Sequence, residues 1–180
     1  IISLDNYFTG TKKNHINNKR VKYINGENED INIILSKVKK KIKVIFHFGE
    51  FSRIYQSFVQ REKCIDFNLT GSFQVINFAL NNNIKIIYSA SSSVIGNNGQ
   101  DENLSPYAWT KAKNVELIKC YKEWYGLDYV IAYFYNVYGP NQIKKHYMSA
   151  VIGIFEDQFI NNKPLTVVSP GNQKRDFTHV

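Results

Sequence analysis

Tyr107 and Lys111 stand one helical turn apart in Ser105-Pro106-Tyr107-Ala108-Trp109-Thr110-Lys111. A phenol holds its proton near neutral pH and is a poor base there. An ammonium group close by stabilises the phenolate, which lets the phenol take and return a proton. Residues i and i+4 of a helix project from one face, so the spacing gives the two side chains a shared direction. The helix start is well marked, because Ser105 is a good capping residue and Pro106 suits the first turn. Alone, such a pair recurs by chance, as an aromatic on the core and a lysine reaching to water. The preceding stretch narrows the choice. Ile84-Lys85-Ile86-Ile87-Tyr88 has strand character and runs into Ser89-Ala90-Ser91-Ser92-Ser93. A parallel strand delivers hydroxyls of this kind to the carboxyl edge of its sheet, where α/β proteins bind ligands. Strand, serines and then Tyr-x-x-x-Lys one loop later is a much rarer combination than either part.

The elements that must position these groups alternate along the chain. Strands are predicted at Ile1–Asp5, Val21–Ile24, Val44–Phe48, Ile84–Ala90 and Tyr129–Tyr135. Helices are predicted at Asp30–Val38, Glu62–Asn81 and Pro106–Tyr125. In the second of these, Ile65, Leu69, Phe73, Ile76 and Leu80 make one face apolar. The pattern predicts an α/β fold, a Rossmann-type parallel sheet with helices on both faces. It changes after Gly139-Pro140, and Ser149–Ile160 reads as a helix opening another segment. Residues 1–140 therefore read as one α/β segment and 141–180 as the start of another, which the family resemblance given below implies to be a partial dinucleotide-binding domain and the beginning of a small substrate-binding domain. The sequence opens directly in a strand that ends on Asp5, the place of the acidic residue that binds adenosine ribose in a dinucleotide fold. The first strand and its glycine-rich turn are expected to be missing, with inner strand edges left unpaired and the pyrophosphate without its helix N-terminus. The 180-residue chain alone is expected to fold poorly and to bind no dinucleotide.

Hydrophobic residues make up 43% of the chain and aromatics 14%, which excludes a disordered protein. No apolar run is long enough to cross a bilayer, and no signal peptide is recognisable, so no membrane partner is expected. Cys64 and Cys120 lack metal-ligand or disulfide spacing, which predicts no metal site and a reduced, cytoplasmic setting. The net charge of +8 comes largely from Lys37, Lys39, Lys40, Lys41 and Lys43. Such a run at a helix end reads as a solvated face, and no recognition motif supports nucleic-acid binding.

Taken in order, these stretches resemble the extended short-chain dehydrogenase/reductases, specifically the NAD-dependent epimerase/dehydratase family of nucleotide-sugar enzymes. The family's Ser…Tyr-x-x-x-Lys triad falls on Ser91, Tyr107 and Lys111; Ser91 lies five before Gly96 in a stretch like the family's "S-x-x-V-Y-G", with Ile95 for the usual Tyr. Asp5-Asn6-Tyr7-Phe8-Thr9-Gly10 is similar to "DN…TG". Glu27 and Asn28 stand where the adenine is contacted. His47-Phe48-Gly49-Glu50 resembles the turn along the cofactor, although Glu50 replaces a small residue. Asn68 matches "N-x-x-G-T". Tyr133–Pro140 resembles "R-Y-F-N-V-Y-G-P", with Tyr133 for Arg, and Arg175–Val180 resembles "R-D-F-x-H-V".

The resemblance implies NAD as cofactor, held by Asp5, Asn6, Thr9, Gly10, Glu27, Asn28, Phe48, Gly49, Glu50, Asn68, Ser89, Tyr107, Lys111 and Tyr135. It implies a nucleotide sugar, by default a UDP-sugar, held by Ser91, Ser92, Tyr107, Asn136 and Arg175. Tyr107 would take the proton of the sugar 4-hydroxyl while hydride leaves C4, giving a transient 4-keto sugar; Ser91 would bond the same oxygen. Dehydratases and UDP-glucuronate decarboxylases of the family place carboxylic acids just after the catalytic hydroxyl residue. Here those positions are Ser92 and Ser93, which favours 4-epimerisation, with decarboxylation, dehydration and an inactive sugar-nucleotide binder as the alternatives. The family also implies carbohydrate metabolism and a homodimer built on helices Glu62–Asn81 and Pro106–Tyr125.

Overall fold

Short β-branched runs ending in polar residues build the sheet. In the computed structural model, β1 (Ile2–Asp5) pairs in parallel with β2 (Lys22–Asn25), and β3 (Val44–His47) in parallel with β4 (Lys85–Ser91). β5 (Tyr129–Phe134) completes the order β3-β4-β5. Among the described residues, β1 and β3 each pair on one side only. All five predicted strands are present. The structure describes residues 1–180 apart from the side chains of residues 96–99, so Gly96 lies outside the described residues.

The chain divides into two compact units, Ile1–Tyr133 and Phe134–Val180. In the first, Ile86 and Tyr88 of β4 are covered by Val75, Ile76, Phe78 and Ala79 on one helix and by Val115 and Ile118 on another. Each large apolar side chain buried in this way contributes about 1.5–3 kcal/mol.

The helices depart from expectation in two places. The segment predicted as Asp30–Val38 has only one α-turn, α1 (Ile31–Ile34), flanked by 3₁₀ turns at Asn28–Asp30 and Lys39–Lys41. Three isoleucines lose rotamer freedom in a helix, and the Ser36 hydroxyl bonds the Ile33 carbonyl at 2.8 Å, drawing the backbone out of register. A six-residue helix that the sequence did not reveal, α2 (Ile54–Val59), follows β3 and has no side-chain cap. The predicted Glu62–Asn81 helix is built of α3 (Arg61–Ile65), a π turn at Asp66–Gly71 and α4 (Ser72–Asn81). The wider turn alters which residues face inward. Asn68 and Ser72 are fully buried, while Ile65 and Phe73 of the apolar stripe stay 36% and 43% exposed.

α5 (Pro106–Tyr125) runs where predicted. The Ser105 hydroxyl accepts the Ala108 N–H at 3.0 Å, and Gly126, at φ 77°, closes the helix with its N–H on the Lys122 carbonyl. In the second unit, β6 (Val137–Tyr138) pairs in parallel with β7 (Thr178–His179), and α6 spans Val151–Ile160. Gly153 is required there, because a Cβ would lie 2.4 Å from the Ile143 carbonyl oxygen. No described helix is long and apolar enough to cross a membrane.

Candidate active site

The carboxyl ends of β1, β2 and β3 surround a cavity of about 230 Å³. Of the residues assigned to the cofactor from sequence, Asp5, Asn6, Thr9, Gly10, Glu27, Asn28, Phe48, Gly49 and Glu50 line it. Local polar bonds shape its floor. Asp5 Oδ1 accepts the Tyr7 N–H at 2.7 Å and Asn6 Oδ1 accepts the Phe8 N–H at 2.9 Å, which offsets the left-handed backbone of Tyr7 at φ 57°. Asn6 Nδ2 also donates to Glu27 Oε2 at 2.9 Å, and Asn28 Nδ2 donates to the Gly49 carbonyl at 2.7 Å. A Cβ on residue 10 would lie 3.2 Å from Asp5 Oδ2, so glycine keeps the second oxygen of that carboxylate open. Burial and the neighbouring Asp66, Glu27 and Asp30 raise the Glu29 pKa. Two carboxylates able to accept from hydroxyls, beside a glycine-lined slot, suit the ribose and adenine of a dinucleotide.

Asn68, Ser89, Tyr107, Lys111 and Tyr135 do not line this cavity. Lys111 reaches β4, where its ammonium donates to the Ser89 carbonyl at 2.6 Å and lies 5.0 Å from the centre of the Tyr88 ring. Tyr107 is half-buried in the first turn of α5, and its N–H donates to Ser57 Oγ at 3.2 Å, which ties α5 to α2. Burial lowers the Arg53 pKa, and its electrostatic attraction to Tyr107 opposes that shift. Neither Ser57 nor Arg53 was predicted, because Ser57 lies in the unrecognised helix and Arg53 immediately precedes it. Ser93 delivers its N–H at 3.2 Å and its O–H at 2.9 Å to Ser91 Oγ, so the Ser91 proton can be turned toward a ligand.

Two cofactor assignments are corrected. The Asn68 amide is fully buried: its oxygen accepts the Phe51 N–H at 2.6 Å, and its nitrogen donates to the Phe51 carbonyl at 3.1 Å and to Thr110 Oγ1 at 3.0 Å. It holds the loop after β3 and offers nothing to a ligand. Glu50 lines the cavity, yet its carboxylate is turned inward with 1% of the side chain exposed. There it pairs with Lys111 and accepts from Ser72 at 2.8 Å, Tyr88 at 3.0 Å and Asn114 at 3.0 Å. Asn114 follows Lys111 by three residues on the same helical face, and that spacing could have identified it.

His47 belongs to this buried network, with Nε2 2.8 Å from Ser72 Oγ. Since Ser72 donates its proton to Glu50, His47 must donate from Nε2. Burial lowers its pKa below the ordinary 6.5, an effect that Glu50 opposes and Lys111 reinforces. The unfolded chain therefore takes up this proton first as pH falls, so the stability tied to neutral His47 is fully present above pH 6.5 and is lost progressively below it. Denaturant titrations from pH 6.5 downward should show a slope of up to about 1.4 kcal/mol per pH unit that His47→Gln makes shallower. Equal slopes in both proteins would contradict this.

In the second unit the two stretches assigned to substrate lie side by side. Val137 pairs with Thr178 and Tyr138 with His179, and Asn136 Nδ2 donates to the Asp176 carbonyl at 2.8 Å. Arg175 is exposed, its Nη1 on the Lys174 carbonyl, and Tyr135 is half-buried between β5 and β6.

The whole sequence, residues 1–180, matches the NAD dependent epimerase/dehydratase family. The chain belongs to that family. It is 30% identical, over 100% of its length and 61% of the other's, to a Methanocaldococcus jannaschii protein named "Putative UDP-glucose 4-epimerase". The UDP-N-acetylglucosamine 4-epimerase of Methanobrevibacter ruminantium M1, solved with UDP-N-acetylmuramic acid, superposes with a TM-score of 0.87 at 29% identity, over 99% of this chain and 60% of that one. A dTDP-glucose 4,6-dehydratase of Streptomyces venezuelae with NAD bound shares the fold, with a TM-score of 0.87 at 22% identity over 99% of this chain and 58% of that one. The chain thus spans about three-fifths of the length of such relatives.

Proposed function

We propose that the protein containing this chain interconverts nucleotide sugars epimeric at C4, most simply a pair of UDP-hexoses, with NAD as cofactor. The observation that carries the choice of reaction is the run Ser91-Ser92-Ser93 at the end of β4. Dehydration or decarboxylation would be expected to use a carboxylic acid there, whereas Ser93 instead binds Ser91.

When bound, NAD supplies the acceptor that takes and returns hydride. Asp5, Glu27 and Asn28 would hold its adenosine, and Lys111 and Tyr107 its nicotinamide ribose. Tyr107 would remove the proton of the sugar hydroxyl and later restore it. Ser91, with its oxygen engaged by Ser93, would donate to the same sugar oxygen and steady the developing ketone. Asn136 and Arg175 would bind the substrate, the arginine as a partner for diphosphate.

On this reading residues 1–140 form the cofactor domain and 141–180 open the substrate domain. Compact units meeting at Tyr133 and Phe134 support a division in this part of the chain. A cytoplasmic homodimer belongs to the same proposal. It is supported by the two free cysteines and by the apolar strip of Leu69, Phe73 and Leu117 along the outer face of the helices.

The test is turnover by the intact gene product. UDP-glucose and UDP-galactose should interconvert when followed by proton NMR, with no carbon dioxide released from UDP-glucuronate and no dehydrated sugar formed. Decarboxylation or dehydration without epimerisation would overturn the assignment.

A further inference from the structure

Lys111 is surrounded by protein to a degree that its role at a cofactor does not require. An ammonium has three N–H donors. One is directed at Glu50 Oε2 and another at the Ser89 carbonyl at 2.6 Å, with Ser89 Oγ more distant at 3.4 Å. The lysine side chain is only 4% exposed and the Glu50 side chain 1%. The carboxylate is itself fixed from three further directions, by Ser72, Tyr88 and Asn114, and His47 stands behind Ser72. Four donors match the acceptor capacity of one ionised carboxylate, so Glu50 has little freedom to turn toward a ligand. The donors come from three separate elements, β4 with Tyr88, α4 with Ser72, and α5 with Lys111 and Asn114, and they converge on Glu50 in the loop after β3.

We propose that Glu50 is a positioning residue for the reaction: its buried carboxylate clamps the Lys111 ammonium against β4 and presents a single remaining N–H toward the cofactor. This rests on the reading of Lys111 as the ligand of the nicotinamide ribose. A lysine is ordinarily a mobile point charge on a flexible stem. The clamp removes that mobility before ligand arrives, so less ordering is left to the moment of binding. It also places a carboxylate in contact with the ammonium, which makes the pair neutral. The charge of the lysine is then shared, while the Arg53 guanidinium lies in the field of Tyr107.

Replacing Glu50 by glutamine keeps the shape and removes the charge. A buried ammonium without its counter-ion turns out toward water or gives up its proton. In the intact gene product, acylation of Lys111 by acetic anhydride, read by peptide mass spectrometry, should rise at least about tenfold in Glu50→Gln. Cys64, fully buried, should stay closed to a thiol reagent in the same sample, which reports that the fold is intact. Turnover should show kcat lower by about tenfold or more with KM for the sugar within about twofold, because Glu50 does not touch the sugar. Lys111 labelling that is unchanged, or kcat that is unchanged, overturns the proposal.

If Cys64 also becomes reactive, Ser72→Ala decides instead. It loosens Glu50 without removing it and should raise Lys111 labelling about two- to fivefold; no rise overturns the clamp. Absence of sugar turnover in the unaltered enzyme would sink the functional reading, while the labelling result would still decide whether Glu50 restrains Lys111.

Discussion

Changing Tyr107 to phenylalanine in the intact gene product should lower kcat for the proposed epimerisation by about 10²–10⁴-fold, the range for loss of a positioned acid–base group. The substitution removes one oxygen from the first turn of α5 and little else. The Ser105 cap, the N–H bond to Ser57 and the pairing of Lys111 with Glu50 do not involve that oxygen. NAD affinity measured by calorimetry and KM for the sugar should therefore stay within about threefold. Ser91 cannot take over, since a serine hydroxyl is a far weaker base than a phenolate and its oxygen already accepts twice from Ser93. A variant that inverts sugars within about threefold of the unaltered rate would mean that proton transfer runs through another group.

The shared helix face of Tyr107 and Lys111 could be read from sequence because what sets it is local. A serine cap, a proline in the first turn and a spacing of four residues specify one face of one helix. The cavity residues were legible for a related reason. Asp5, Glu27 and Gly49 follow strands whose β-branched runs are plain, and parallel strands bring their carboxyl ends together. The parallel sheet followed as well, since alternating strands and helices admit few topologies.

What stayed hidden depends on how separate elements meet. Glu50 read as a cofactor contact because its place in the turn was known but its direction was not. That direction is set by Ser72, Tyr88, Lys111 and Asn114, three of which are unremarkable polar residues in their own segments. The stripe of Ile65, Leu69 and Phe73 invited assignment to one continuous helix. A π turn costs hydrogen-bond geometry locally and is repaid only by tertiary contacts, so no periodicity announces it. The loss of α1 beyond Ile34 has the opposite origin. There, weak helix formers and a competing serine hydroxyl prevail over an apolar pattern that could have continued.

The π turn bears on the second large effect. Asn68→Ala should destabilise the intact protein by about 3–5 kcal/mol, a loss reached only when several buried polar groups are stranded together. Asn68 satisfies both the N–H and the carbonyl of Phe51, and it also donates to Thr110 on α5. Phe51 is 1% exposed, so its backbone groups cannot turn to water without dragging the ring from the interior. Alanine leaves these partners unpaired and opens a gap where no apolar group can follow. Urea unfolding should show a lower midpoint at unchanged slope, the mark of a native state weakened without change in the surface exposed. NAD binding should weaken as well, because the loop that Asn68 holds carries Gly49, Glu50 and Ser52 along the cavity wall. A cost below about 1 kcal/mol would show that water or a rotated Thr110 replaces the amide, and the view of this turn as the anchor of the cofactor loop would then be wrong.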